Sequence, residues 1–166
     1  YLYQGDELGL PEVPDIPEDR LQDPIAHRMR GQEKGRDGCR VPLPWTASGS
    51  SFGFGPAGGA EPHLPQPAGW GERAVEVEEA DPDSMLHLYR QGLRLRREAW
   101  GAAGAAPLEW VRRDEQVLAF ARGGVQCWTA FGADVELPAG EVLLASAPLA
   151  VDVLPADATV WIRVPG

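Results

Sequence analysis

Proline placement constrains this chain more than any other feature. Ten of its sixteen prolines fall before residue 81, at Pro11, Pro14, Pro17, Pro24, Pro42, Pro44, Pro56, Pro62, Pro65 and Pro67, interleaved with many glycines. Each proline removes a backbone donor and fixes φ, so no long helix or central strand can run through this half. A loop-rich stretch of such length is either disordered or an ordered excursion over a site. Trp45, Phe52, Phe54, Leu64 and Trp70 point to a packed excursion, because disordered segments are poor in aromatics.

The pattern changes at Asp81-Pro82-Asp83-Ser84. An Asp that can accept backbone N–H bonds, a Pro at the first helical position and acid in the first turn together signal a helix start. Met85, Leu86, Leu88, Tyr89, Leu93 and Leu95 then supply an apolar face, Arg94, Arg96 and Arg97 crowd the last turn, and Gly101 follows, which predicts a helix over 82–99. Beyond Ala106 the period becomes that of strands, predicted at 109–112, 117–122, 125–131, 141–146 and 159–164. The turns between them are marked by Asp114-Glu115, Gly123-Gly124, Pro138-Ala139-Gly140 and Pro155-Ala156-Asp157. Five short strands with tight connections suggest a small antiparallel sandwich or sheet domain that leans on the preceding helix.

Several classes of function are excluded by charge and composition. A formal net charge of −10 opposes binding to a phosphate backbone, so no nucleic-acid partner is expected. No apolar run approaches the roughly 20 residues of a membrane span, and no membrane association is expected. Cys39 and Cys127 stand far apart and outside any CxxC or His-rich context, so neither a disulfide framework nor a zinc site is signalled, and a reduced cytoplasm is the simplest compartment. His27, His63 and His87 show no metal or triad spacing and read as solvated or loop-packing residues. The opening Tyr1-Leu2-Tyr3-Gln4-Gly5 is strand-like, without Met or signal peptide, and reads as a cut inside a larger protein.

A specific likeness emerges from the motifs taken in order. Tyr3-Gln4-Gly5-Asp6-Glu7-Leu8-Gly9-Leu10-Pro11-Glu12 resembles the segment at the last barrel strand of alpha-glucosidases and oligo-1,6-glucosidases of glycoside hydrolase family 13, in the alpha-amylase superfamily. Gln22-Asp23-Pro24 and Gly35-Arg36-Asp37-Gly38-Cys39-Arg40-Val41-Pro42-Leu43-Pro44-Trp45 resemble the loop after it. Leu64-Pro65-Gln66-Pro67 with Trp70, and Asp81 through Arg97, resemble the last barrel helix and its approach, and Val142-Leu143-Leu144-Ala145-Ser146 continues the likeness. The chain departs from the family at His63, where relatives tend to have Trp, and at Trp128-Thr129-Ala130, where an aliphatic pair and Asn are common.

The resemblance implies an α+β fragment. Residues 1–103 are expected to form the C-terminal end of a (β/α)8 TIM barrel, with its last strand, proline-rich loop and last helix, and residues 104–166 a small antiparallel β-sandwich domain. It further implies a retaining exo-acting alpha-glucosidase as the full-length parent, taking small-molecule alpha-glucosides, with the upstream barrel portion of the same protein as this chain's partner. The nucleophile Asp, the acid/base Glu and a third Asp of the family lie on earlier strands, so no catalytic residue is expected here and the isolated chain is expected to be inactive. No cofactor and no metal ligand are implied for this segment, and a calcium site known in some relatives would lie upstream.

Arg36 is the candidate substrate-binding residue. Its place in Gly-Arg-Asp-Gly is similar to that of the family's arginine that reaches the non-reducing glucose while pairing with an upstream Asp, a role that suits a rigid fork of donors. Arg40 is read as a structural ion-pair residue and Asp37 as a turn cap or a support for one of the arginines. Asp6 and Glu7, near the end of a barrel strand where catalytic faces lie, are read as loop anchors, and Trp45, Phe52 and Phe54 as the loop's own core in preference to a sugar platform. Two other readings stay open: a trehalose synthase-like transglycosylase or isomerase, and a non-enzymatic carbohydrate-binding or stabilising module, which an exposed row of aromatics on one β-face would favour.

Overall fold

The computed structural model describes residues 1–29, 32–101 and 106–165. The chain forms two compact units, Tyr1–Tyr89 and Arg90–Gly166. The expected boundary at 103 and 104 lies outside the described residues.

Among the described residues, prolines and glycines leave the first unit two short helices before residue 81, α1 (Pro24–Arg28) and α2 (Val75–Ala80), and four 3-10 turns, at Asp6–Leu8, Glu18–Arg20, Asp37–Cys39 and Ala68–Arg73. Ile16, Leu21, Ala26, Val41 and Trp70 are buried together, with Leu10, Val13, Phe52 and Leu64 packed against them. The excursion is therefore built around its own apolar side chains, which offset the entropy of ordering so many irregular residues.

Residues 1–5, strand-like in sequence, form no strand among the described residues. The Tyr3 N–H donates to the Asp6 carboxylate at 2.9 Å and the Gly5 N–H to Glu7 at 3.0 Å, so side chains take the donors a strand would use. Tyr1, Leu2 and Tyr3 are exposed, and no strand of the described residues pairs with them. A barrel strand needs hydrogen-bonding neighbours on both sides.

The long helix α3 spans Met85–Trp100, starting three residues later than the sequence pattern suggests. The Asp81 carboxylate accepts the N–H of Asp83 at 3.0 Å, two residues on, closing a turn instead of capping the helix. Ser84 takes the capping role, its Oγ accepting from His87 N at 3.3 Å, while the buried Glu78 carboxylate accepts from Leu86 N at 2.9 Å. Two of the helix's free N-terminal donors are thereby satisfied.

The second unit holds strands β1 (Glu109–Arg113), β2 (Val117–Arg122), β3 (Val125–Ala130), β4 (Val135–Glu136), β5 (Glu141–Ala145), β6 (Val153–Leu154) and β7 (Thr159–Arg163). A five-stranded antiparallel sheet runs in the order β1-β2-β3-β7-β5, and β4 pairs with β6 as a separate ribbon. Gly123 and Gly124 adopt φ of 57° and 80°, the two positive values a tight primed hairpin between β2 and β3 demands. On one sheet face Val117, Ala119, Trp128, Ala130, Val160 and Ile162 are buried with Val135 and Leu154 of the ribbon. The other face meets α3 from Gln91 to its end: Trp100 packs on Trp161 with ring centroids 5.1 Å apart and donates Nε1–H to Arg122 O at 2.8 Å, and Gln91 donates to Leu143 O at 3.1 Å. Each face is thus packed over its central strands, which a sheet of this size needs to be stable.

At the β1 edge the register shifts between Trp110 and Arg112, leaving Val111 as an extra residue. All five residues of β1 are exposed. Trp110 lies edge-on to Phe120 at 6.2 Å, with the Arg113 guanidinium 5.5 Å from the Trp110 ring centre.

Leu154 is fully buried where the ribbon meets the sheet. Leu154→Ala is expected to lower the unfolding free energy of the β unit by about 2–5 kcal/mol. Val151→Ala, at a side chain 90% exposed, should stay within about 0.5 kcal/mol of the parent. Urea unfolding followed by tryptophan fluorescence checks both.

Candidate functional site

The sequence Gly35-Arg36-Asp37-Gly38 folds against Gln22-Asp23-Pro24 because two carboxylates turn inward. Asp23 and Asp37 are 1% and 2% exposed, and an ionised side chain can be buried so only when its oxygens are bonded or paired. Asp37 Oδ2 accepts the backbone N–H groups of Gln22 at 2.7 Å and Asp23 at 2.8 Å. Asp23 Oδ1 caps α1 by accepting from Ile25 N at 3.1 Å, with Pro24 at the first helical position. Its Oδ2 accepts both Arg36 N at 3.2 Å and Arg36 Nε at 3.3 Å.

The two glycines of the motif answer to close approach. Gly35 sits at φ +75°, and a Cβ there would come within 2.6 Å of the Asp23 side chain. A Cβ on Gly38 would meet Val13 O at 2.4 Å, and Val13 N donates to Gly38 O at 3.0 Å. Both positions lack room for any larger residue.

Arg40 bridges the carboxylates, its Nη1 3.3 Å from Asp23 Oδ2 and 3.6 Å from Asp37 Oδ1. A hydrogen bond to the Tyr3 side chain holds its guanidinium above the usual arginine value, with Asp23 and Asp37 adding to that shift. Arg36 is placed differently. Its side chain is 70% exposed, its Nε is bonded to Asp23, and its terminal nitrogens are in no hydrogen bond among the described residues. It stands on a hollow of about 450 Å³ lined by Val13, Ile16, Leu21 and Ile25 and by the charged Glu12 and Lys34. Asp23 is the residue sequence reasoning missed. Its signal was an Asp-Pro pair, which marks a helix cap, but nothing in the sequence pairs it with an arginine thirteen residues on.

The other candidates fall away from this cluster. Asp6 and Glu7 bond backbone N–H groups of their own turn, as loop anchors do. Phe52 joins the buried core of the excursion, while Trp45 and Phe54 are exposed. His63 accepts Arg20 Nη1 at its carbonyl at 3.0 Å and sets its Nε2 3.0 Å from Arg20 O, and the His87 ring lies 3.2 Å from Glu79 O, so both serve packing. Among the described residues no three His, Cys, Asp or Glu side chains gather as metal ligands would, and no helix is long and apolar enough to cross a membrane. Burial raises the Cys127 thiol above its ordinary value, which keeps it protonated and inert.

The alpha-amylase catalytic-domain family matches residues 1–103, the Asp23–Arg36–Asp37–Arg40 cluster included. The chain belongs to this family. It is 39% identical over 121 residues to a probable alpha-glucosidase from Rhizobium meliloti (strain 1021), covering 73% of the chain and 21% of the relative. It is 30% identical over 115 residues to an oligo-1,6-glucosidase from Parageobacillus thermoglucosidasius, covering 59% and 20%. Among solved structures, an alpha-glucosyl transfer enzyme superposes with a TM-score of 0.72 at 34% identity over 97% of this chain and 32% of that one. A trehalulose synthase superposes with a TM-score of 0.75 at 20% identity over 99% and 35%, a likeness of fold. The chain spans about a fifth of the length of the curated relatives it matches. An alpha-glucosidase-like family protein thus supplies the frame for the cluster around Arg36.

The Asp23 carboxyl is held below its usual value near 3.8, first by the Ile25 N–H and then by Arg36, against the opposing effect of burial. Its folded value is therefore lower than its unfolded one. The stability it contributes is present in full above about pH 4 and is lost as pH falls through the folded value. Thermal melts between about pH 2.5 and 7 should show Asp23→Asn less stable than the parent at pH 7, with the gap closing in acid.

Proposed function

We propose that this chain forms part of a retaining alpha-glucosidase that releases glucose from the non-reducing end of short alpha-glucosides, and that it supplies Arg36 to the wall of the glucose pocket. The observation that carries this reading is the exposed guanidinium of Arg36, held by its inner nitrogen to Asp23 while its outer donors bond no other group among the described residues. A neutral sugar offers vicinal hydroxyls, and a planar fork of N–H donors matches them better than a point charge does. The family membership and the names of the two curated relatives support the same reaction class. In such a reaction one carboxylate attacks the anomeric carbon, the leaving oxygen takes a proton from the second carboxyl about 5 Å away, and water then releases the sugar. Those two groups belong to the upstream barrel in this reading, and the 166 residues bind and orient.

The isolated chain is expected to hydrolyse p-nitrophenyl alpha-glucoside no faster than buffer. Turnover by rigorously purified chain, abolished by changing one of its own acids, would count against the assignment. In the full-length parent, Arg36→Ala should lower kcat/KM at least about a hundredfold, since each tenfold corresponds to about 1.4 kcal/mol of lost transition-state binding. Arg36→Lys should recover little, because an ammonium cannot reproduce the planar fork. Arg113, over the Trp110 ring on β1, is the control whose substitution should leave kinetics nearly unchanged. Retention of kcat/KM within about threefold by a folded Arg36→Ala enzyme would reduce Arg36 to a loop anchor.

The 34% identity to an alpha-glucosyl transfer enzyme favours a second outcome of the same chemistry, in which a sugar hydroxyl intercepts the covalent intermediate in place of water. Product analysis of the parent with concentrated maltose or sucrose separates the two: free glucose marks hydrolysis, and new oligosaccharides or isomers mark transfer. A carbohydrate-binding module is less well supported. In the β unit Trp128 is buried, Trp161 is covered by Trp100, and Phe120 is half-buried, so most of its aromatics serve the fold.

A further inference from the structure

The arrangement around Asp23 asks more of that residue than a helix cap requires. An uncharged Asn would cap α1 as well as an Asp does, yet the position holds a carboxylate that is 1% exposed and faces two arginines. Its Oδ2 receives the backbone N–H and the side-chain Nε–H of the same residue, Arg36, at 3.2 and 3.3 Å. A hold at two points fixes the backbone at Arg36 and the direction of its side chain together. Gly35 runs so close that a Cβ would lie 2.6 Å from Asp23, which leaves the loop little room to slide past the carboxylate.

The mode of the contact matters as much as its existence. A guanidinium and a carboxylate commonly meet fork to fork, with two donors engaged side by side. Here only Nε is used, and Arg40 shares the same oxygen at 3.3 Å. Among the described residues one of its five N–H donors is occupied, and the four on the terminal nitrogens bond no protein group. The second cation supplies the rest of the charge that the buried carboxylate needs, so Arg36 can be anchored without being consumed by its anchor.

We propose that Asp23 is a positioning residue for Arg36: its buried carboxylate aims the guanidinium at substrate hydroxyls by binding Nε alone. This rests on the glucose-pocket reading of Arg36. If Asp23 acts through Arg36, its loss matters only while Arg36 is present. In the full-length enzyme Asp23→Asn, which keeps the cap oxygen and the side-chain volume, should lower kcat/KM about tenfold, against at least about a hundredfold for Arg36→Ala. The double variant should match Arg36→Ala alone within about twofold. A residue that merely stabilises the loop would lower activity by the same factor in both backgrounds.

A direct measurement keeps the question open to test even if Asp23→Asn fails to fold. In nitrogen-15 spectra of the unaltered 166-residue chain, the Arg36 Nε–H should exchange with solvent more slowly than those of the exposed Arg96 and Arg97 side chains. An Arg36 signal that exchanges as fast as theirs overturns the inference. So does a severe Arg36→Ala combined with a silent Asp23→Asn, or with losses that simply multiply, and in those cases the glucose-pocket reading stands. A silent Arg36→Ala in folded enzyme removes both.

Discussion

The burial of two like charges side by side is the constraint on which the first unit depends. Asp23 and Asp37 have almost no access to water. Their carboxylate oxygens are met by the backbone donors of Gln22, Asp23, Ile25 and Arg36 and by the cations of Arg36 and Arg40. In a segment whose described residues hold no sheet and only short helices, these bonds tie residues 22–25 to 35–40 in the way a strand ladder would in a regular fold. The glycines at 35 and 38 let the two stretches approach closely enough for the bonds to form. A removed partner would leave a carboxylate stranded, so the loop has few alternative arrangements of similar energy.

The second unit reaches order by a different route. Its sheet buries aliphatic and indole side chains on one face against a two-stranded ribbon and on the other against the end of α3. Non-directional burial sets its stability, whereas directed polar bonds set the conformation of the proline-rich unit. Helix α3 contributes its first residues to one unit and its last to the other, so a single regular element belongs to both kinds of construction.

Legibility in the sequence followed this division. The β strands at 117–122, 125–130 and 159–163 could be read to within a residue or so, because alternation and the Gly123-Gly124 turn carry the information locally. The two-residue strands β4 and β6 could not, since so short a segment has no period to recognise. The start of α3 was misplaced because Asp81 and Ser84 are both good caps, and the choice was made by Glu78, whose carboxylate takes the N–H of Leu86. Residues 1–5 look strand-like in sequence, but the Tyr3 and Gly5 N–H groups bond the carboxylates of Asp6 and Glu7. At the site, the Gly-Arg-Asp-Gly motif revealed Arg36. The carboxylate that holds it was hidden in an ordinary helix cap, because a pairing between residues 23 and 36 is a product of the folded loop and leaves no mark in composition or spacing.

The exposed first strand of the sheet carries one more consequence. An outer strand with free N–H and C=O groups is the place where folded proteins begin to polymerise edge to edge. The extra residue at Val111 bends β1 out of a flat ladder, and Arg112 and Arg113 follow immediately, with Arg113 capping the apolar face of Trp110. A bent, cationic edge is a poor template for another chain. The β unit can thus leave its boundary strand in water without inviting fibrous growth.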